Sequence, residues 1–171
     1  MAMVVLFLGT IFWGQMQKPI GICELLRNVE SYNGQIVTIR AFVVGGLPHG
    51  YYLVDNRMET PCSSMPDSRI NWPPTIDLIW PGSAGLERVP LPFERDIGAQ
   101  KKFYESMRTL EQKAVPGRMV EATFVGQVRT RRSLTILHNK QDNVYAGNGY
   151  GQFGMHPAQL VIKTVLNITT E

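Results

Sequence analysis

The sequence predicts a mainly β domain: a five-stranded barrel with one helix between strands three and four and an extra amino-terminal helix. Three observations predict it. Short runs of alternating apolar and polar residues recur along the chain, Gly- and Pro-rich turns separate them, and a segment of helical period stands between the third and fourth runs. The length of 171 residues suits one core and a leader, with an export segment over 1–17 and a single domain over 18–171. A hydrophobic content of 44% with 18% charged residues excludes a disordered chain. The net charge of +3 is mild, so a nucleic-acid reading has to rest on local clustering.

Met1 to Trp13 is almost wholly apolar and carries no charged side chain. A bilayer span needs about 20 apolar residues and a secretory core only about 7–15, so the run reads as an export signal and leaves no membrane span in the mature chain. No Lys or Arg precedes it, and the competing reading is a buried amino-terminal strand or helix. Two cysteines, Cys23 and Cys62, fit an exported chain as one disulfide, with two buried free thiols as the alternative. Their spacing matches no zinc pattern, and no Cys-x-x-Cys pair supports redox catalysis.

Ile22, Leu25, Leu26 and Val29 recur at helical spacing before Asn33-Gly34, which predicts the amino-terminal helix. Gln35 to Val44 alternates, with Val37, Ile39, Ala41 and Val43 on one face and Thr38 and Arg40 on the other. Tyr51 to Val54 follows as the second strand of a hairpin, and a long polar loop holding Cys62 leads to a third strand, Thr75 to Trp80. From Ala99 to Ala114 the residues Phe103, Met107 and Leu110 share a helical face, and Pro116-Gly117 ends that helix. Arg118 to Val128 and Leu160 to Leu166 supply strands four and five. This succession is that of the OB-fold, with an open α+β sheet as the alternative.

Ile22-Cys23-Glu24-Leu25-Leu26, Tyr32-Asn33-Gly34-Gln35-Ile36-Val37 and Arg40 resemble the opening of uncharacterised exported bacterial OB-fold-like proteins, which runs Cys-x-Leu, Tyr-x-Gly-x-x-Val, Arg. Gly149-Tyr150-Gly151, Gly154 and Pro157-Ala158-Gln159-Leu160-Val161 resemble their Gly-rich signature before the last strand, where the residue at Gln152 is usually His. The resemblance implies an OB-like fold and export, and brings no activity with it. A site built on that histidine is put in doubt by Gln152. Bacterial origin would leave the sequon Asn167-Ile168-Thr169 unused.

Gly147, Gly149, Gly151 and Gly154 suggest a dinucleotide or phosphate loop, but the segment leads through Pro157 into a strand and no Lys-Ser/Thr follows. It reads as a loop packed against the barrel. Arg129, Arg131 and Arg132 stand just beyond strand four, and Tyr145, Tyr150 and Phe153 lie on the same connection, one wall of the binding face in OB-folds. Arginines that neutralise phosphates and aromatics that stack bases suit single-stranded nucleic acid, against which stand a solvated-loop reading and the export signal.

His49, His138 and His156 could join Asp55, Asp77 or Glu121 as metal ligands or acid–base groups, although none has motif spacing. Ser63-Ser64 lacks a nucleophile-elbow setting. Trp72, Trp80 and Tyr51-Tyr52 read as core or rim residues or as a ligand face. The candidate ligand-binding residues are Tyr52, Trp80, Arg129, Arg131, Arg132, Tyr145, Tyr150 and Phe153, with no catalytic residue, metal or cofactor assigned. The leading expectation is a non-enzymatic binding or interaction module, periplasmic, envelope-associated or secreted, for a peptide, glycan or small anionic ligand. Single-stranded nucleic-acid binding is the alternative, and an enzyme using His156 is a third class.

Overall fold

The computed structural model describes residues 18–46, 50–55, 74–83, 86, 90–113, 120–131, 136–139 and 144–170. The expected helix is two short helices, α1 (Ile22–Arg27) and α2 (Val29–Tyr32), broken at Asn28, whose φ of −129° leaves the helical region. Asn competes for backbone hydrogen bonds and so favours such breaks. The apolar spacing survives the break, because Ile22, Leu25, Leu26 and Val29 all remain buried. Gly34 N–H donates to the Val128 carbonyl at 2.8 Å and Val128 N–H to that of Gln35 at 3.0 Å, which ties the end of the helical pair to the barrel.

The barrel strands are β1 (Ile36–Gly46), β2 (Gly50–Val54), β3 (Thr75–Ile79), β4 (Val120–Thr130) and β7 (Ala158–Thr170). Their closed order is β1-β2-β3-β7-β4, with β1 pairing back to β4. Every pairing is antiparallel except β3 with β7, which is parallel over Ile76↔Ala158 to Ile79↔Val161. The architecture is therefore an OB-like five-stranded barrel, with α3 (Ile97–Lys113) between β3 and β4. Among the described residues, no helix is long and apolar enough to cross a membrane.

Alternation decides which side chains enter the barrel. Val37, Ile39, Ala41 and Val43 of β1 point inward as expected, together with Leu53, Ile76, Leu78, Phe124, Val128, Leu160 and Ile162 from the other strands. Phe103 of α3, fully buried, packs edge-on against Tyr51 (centroids 5.4 Å) and Phe124 (5.8 Å). Asp96 caps α3: its Oδ1 accepts the Ala99 N–H at 2.9 Å and its Oδ2 the Thr164 hydroxyl at 2.8 Å, fixing the helix against β7. These bonds, the Ala99 N–H foremost, hold the Asp96 carboxyl below its usual range.

The strands differ from expectation at their ends. β4, whose expected first residues Arg118 and Met119 lie outside the described residues, runs on to Thr130, and β7 extends from Ala158 to Thr170. A further hairpin, β5 (Ile136–Asn139) with β6 (Val144–Gly147), rises from the connection between β4 and β7 and belongs to a sheet of its own.

The pairing of β4 with β7 carries two register irregularities, flanking Phe124-Val125. Next to them a Cβ on Gly126 would stand 2.5 Å from the Val161 carbonyl oxygen and 3.0 Å from the Leu160 side chain. Glycine here lets two strands approach closely where the barrel bends. Gly126→Ala is expected to lower stability by about 1–3 kcal/mol, since the obstructing atom is backbone. Equilibrium denaturation checks this, and an unchanged midpoint would contradict the close approach.

Candidate functional site

Outward positions on four neighbouring strands form one transverse row. Tyr52 of β2 pairs with Asp77 of β3, Asp77 with Gln159 of β7, and Gln159 with Arg129 of β4. Each is flanked by inward-facing core residues, such as Leu53, Ile76, Leu160 and Val128, so all four lie on the outer surface of the barrel. A polar outer row would ordinarily face water, yet Gln159 is 3% and Arg129 7% exposed. Gln159 Nε2 donates to Asp77 Oδ2 at 2.8 Å, and Arg129 Nε donates to Gln127 Oε1 at 3.4 Å.

The segment 148–157, which enters β7, contributes the cover. Its turn is closed by the Gly149 N–H on the Gly154 carbonyl (2.9 Å) and by reciprocal bonds between Tyr150 and His156 (2.9 and 3.1 Å). Pro157 is tied to β4 through the Thr130 hydroxyl at 2.9 Å. His156, 8% exposed, meets Thr75 Oγ1 through Nδ1 at 2.7 Å, and its ring lies 5.2 Å from that of Tyr52. Thus a residue of the strap between β6 and β7 reaches both β2 and β3.

Gly151 shows how closely this strap is seated. A Cβ there would stand 2.4 Å from the His156 ring and 2.8 Å from Asp77 Oδ1, and its φ of 70° lies in the left-handed region. Only glycine fits both constraints. Burial pulls the His156 imidazole down to about 4, so it is neutral at pH 7. Burial also pushes the Asp77 carboxyl up, against the opposing effect of its hydrogen bonds from Gln159 and the Leu78 N–H.

The sequence-derived candidates divide into separate places. Tyr52 is on the outer row, half-buried against His156. Trp80 is not on that face: with 2% exposure it lies in the core beside Phe103 at 6.1 Å, because it continues the inward parity of Ile76 and Leu78. Arg129 lies in the buried row, whereas Arg131 is exposed, with its Cζ 5.0 Å from the Tyr150 ring centroid and Nη1 donating to the Asn148 carbonyl. Tyr150 is buried beneath it and Phe153 is 59% exposed. The Tyr145 backbone pairs with His138 in the β5–β6 hairpin.

Arg132, His49, Cys62, Ser63-Ser64 and Trp72 lie outside the described residues. Cys23 is disulfide-bonded. Among the described residues no three His, Cys, Asp or Glu side chains converge as a metal site. Glu121 accepts from Arg40 Nη2 at 2.6 Å across β1 and β4. Gln159 and Thr75 were not among the expected site residues; the one sequence signal near them is Asp77, a lone charge within the apolar strand Thr75-Ile76-Asp77-Leu78-Ile79.

Comparison with protein-family models, with curated proteins and with solved structures returns no match.

Asp77 gives a test of the buried row. A carboxyl whose folded pKa is raised contributes stability that is complete below its unfolded value and is lost as pH rises through the folded value. At pH 7 the ionised Asp77 therefore opposes folding. Asp77→Asn, which keeps an acceptor for Gln159, is expected to be more stable than the parent at pH 7, with the difference closing toward pH 4. Urea unfolding at both pH values checks this, and a variant less stable at pH 7 would contradict it.

Proposed function

We propose that the chain is a non-enzymatic OB-like binding module whose recognition element is the strap turn carrying Phe153, with Arg131 beside its base. One observation carries this reading. Phe153 adopts φ 57° and ψ 13° while remaining 59% exposed. A bulky L residue in the left-handed region costs about 1–2 kcal/mol, and an aromatic in water recovers little of it by packing. The cost makes sense when the ring is presented to a partner, since rigid exposed aromatics are the usual anchors of binding sites.

The turn is preorganised for that role. Its backbone is closed by the Gly149–Gly154 and Tyr150–His156 bonds, and Arg131 lies over the Tyr150 ring. Preorganisation lowers the ordering cost of binding, whatever the ligand. A peptide, a glycan or a small anionic ligand suits an aromatic anchor with a neighbouring guanidinium. The apolar run Met1 to Trp13 and the disulfide at Cys23 favour a periplasmic, envelope-associated or secreted protein.

Among the described residues, the Thr75–His156 pair is the arrangement that favours hydrolytic chemistry, a hydroxyl on a neutral imidazole. The burial of that imidazole beneath the strap weighs against it, since a substrate would have to displace the strap to reach the pair. Single-stranded nucleic acid is weakened as a ligand because Arg129, one of the three clustered arginines, is buried in the polar row.

Phe153→Gly separates presentation from folding. Glycine tolerates the left-handed turn, so the variant is expected within about 1 kcal/mol of the parent in stability. Binding to hits from a glycan array or a displayed peptide library is expected to fall at least about tenfold. A variant that binds as tightly as the parent would overturn the reading. So would salt-sensitive binding of a fluorescent oligonucleotide that is lost on Arg131→Ala, which would establish the nucleic-acid alternative instead.

A further inference from the structure

We infer that His156 is the latch of an acid-released strap: the segment 148–157 stays closed over β2 and β3 while the imidazole is neutral, and lifts from Tyr52 and Thr75 when it is protonated. The inference rests on the reading of this strap as the recognition element, whose setting it would control.

One side chain of the strap, His156, touches both β2 and β3. His156 bonds Thr75 of β3 and lies against the Tyr52 ring of β2, Gly151 is seated between the imidazole and Asp77, and Pro157 is tied to Thr130 of β4. Within the strap, bonds run between Gly149 and Gly154, Tyr150 and His156, and Gly151 and Gly154, while Arg131, just beyond β4, holds the Asn148 carbonyl and lies over the Tyr150 ring. His156 also closes the turn through its backbone, so loss of its side-chain seat loosens these bonds and opens the Gly149, Tyr150, Gly154 and His156 amides to solvent between ends held at Asn148 and Pro157.

Protonation works against the closed position for two reasons. The imidazolium would be buried, where a cation is costly to leave uncompensated. The groups facing it give little countercharge: Tyr52 from β2 offers a phenol ring, Thr75 from β3 a hydroxyl and Gln159 from β7 an amide, while Arg129 at the far end of the row and Arg131, just beyond β4, are cations. Asp77 of β3 is the facing carboxylate, and burial raises its pKa, so it gives up its charge at a higher pH than an ordinary carboxylate does.

The sign of the linkage follows. A histidine whose folded pKa is depressed binds its proton preferentially in the open form. Between the ordinary value of 6.5 and about 4, the open-to-closed ratio is expected to rise about tenfold for each unit of pH decrease. Opening would expose the Tyr52–Asp77–Gln159–Arg129 row and withdraw the Phe153 turn, so a ligand held by the closed strap would be released in acid.

Hydrogen exchange of the ligand-free protein tests this directly. Protection of the amides of Gly149, Tyr150, Gly154 and His156 is compared with that of β1 and β4 amides at pH 7 and pH 4.5, after correction for intrinsic exchange. The expected result is a loss of strap protection of at least about tenfold with the barrel unchanged. Equal strap protection at both pH values would overturn the inference, as would strap and barrel losing protection together. The double variant His156→Phe with Thr75→Val keeps a ring on Tyr52 and leaves no orphaned hydroxyl. It is expected to show no pH step, and a step of parental size in it, or in His156→Gln, would assign the effect to another group and overturn the latch. Because no ligand is present, this outcome is independent of whether Phe153 anchors binding.

Discussion

The parallel pairing of β3 with β7 over Ile76↔Ala158 to Ile79↔Val161 closes the barrel, and it also decides what lies on the barrel's outside. Parallel neighbours cannot be joined by a tight turn. Here α3, β4 and the whole β5–β6 connection intervene before the chain returns beside β3. The segment that makes the return, 148–157, lies against β2 and β3 through His156 as it enters β7. The same pairing sets Gln159 beside Asp77, and the antiparallel pairing with β4 sets Arg129 beside Gln159. The row of polar side chains is thus a consequence of this closure, and the strap lies over it.

Inside, the barrel is stabilised as barrels of this size usually are, by inward alternation and a helix whose aromatic side chain fills the interior. Phe103 touches Tyr51, Trp80, Tyr104 and Phe124, and Asp96 fixes the start of that helix to Thr164 of β7. Outside, the chain tolerates what a core selected for stability alone would avoid: a half-buried carboxyl near a buried imidazole and a phenylalanine in a left-handed turn. These departures lie on the strap or against it. Such concentration of local cost is the physical basis for looking to the strap for function.

Strands with strict alternation were legible in the sequence. Val37, Ile39, Ala41 and Val43 announce β1, and Val120, Ala122, Phe124 and Val128 announce β4, because each apolar position enters the same core. The end of β7 was not legible: Asn167, Thr169 and Thr170 carry no apolar alternation, yet their backbones pair with β4. β5 and β6 were hidden by the polar and basic residues around them, since a ribbon outside the barrel has no obligatory apolar face. Trp80 could be assigned to core or surface only once its parity with Ile76 and Leu78 was established. The row was beyond sequence reasoning, because Asp77 and Gln159 are 82 residues apart and meet only through the parallel register. Arg129 and Arg131, adjacent in a charge count, have different surroundings for the same reason.

The central claim is that the strap is held to the barrel through His156, and a double-mutant cycle on Thr75→Val and His156→Phe at pH 7 tests it most directly. Residues joined by a 2.7 Å hydrogen bond should show a coupling of about 0.5–3 kcal/mol in equilibrium denaturation. A coupling of about 1 kcal/mol or more is the result this account requires. Additivity within about 0.3–0.5 kcal/mol would mean that the two side chains do not meet and that the strap is not fastened where the structure has it.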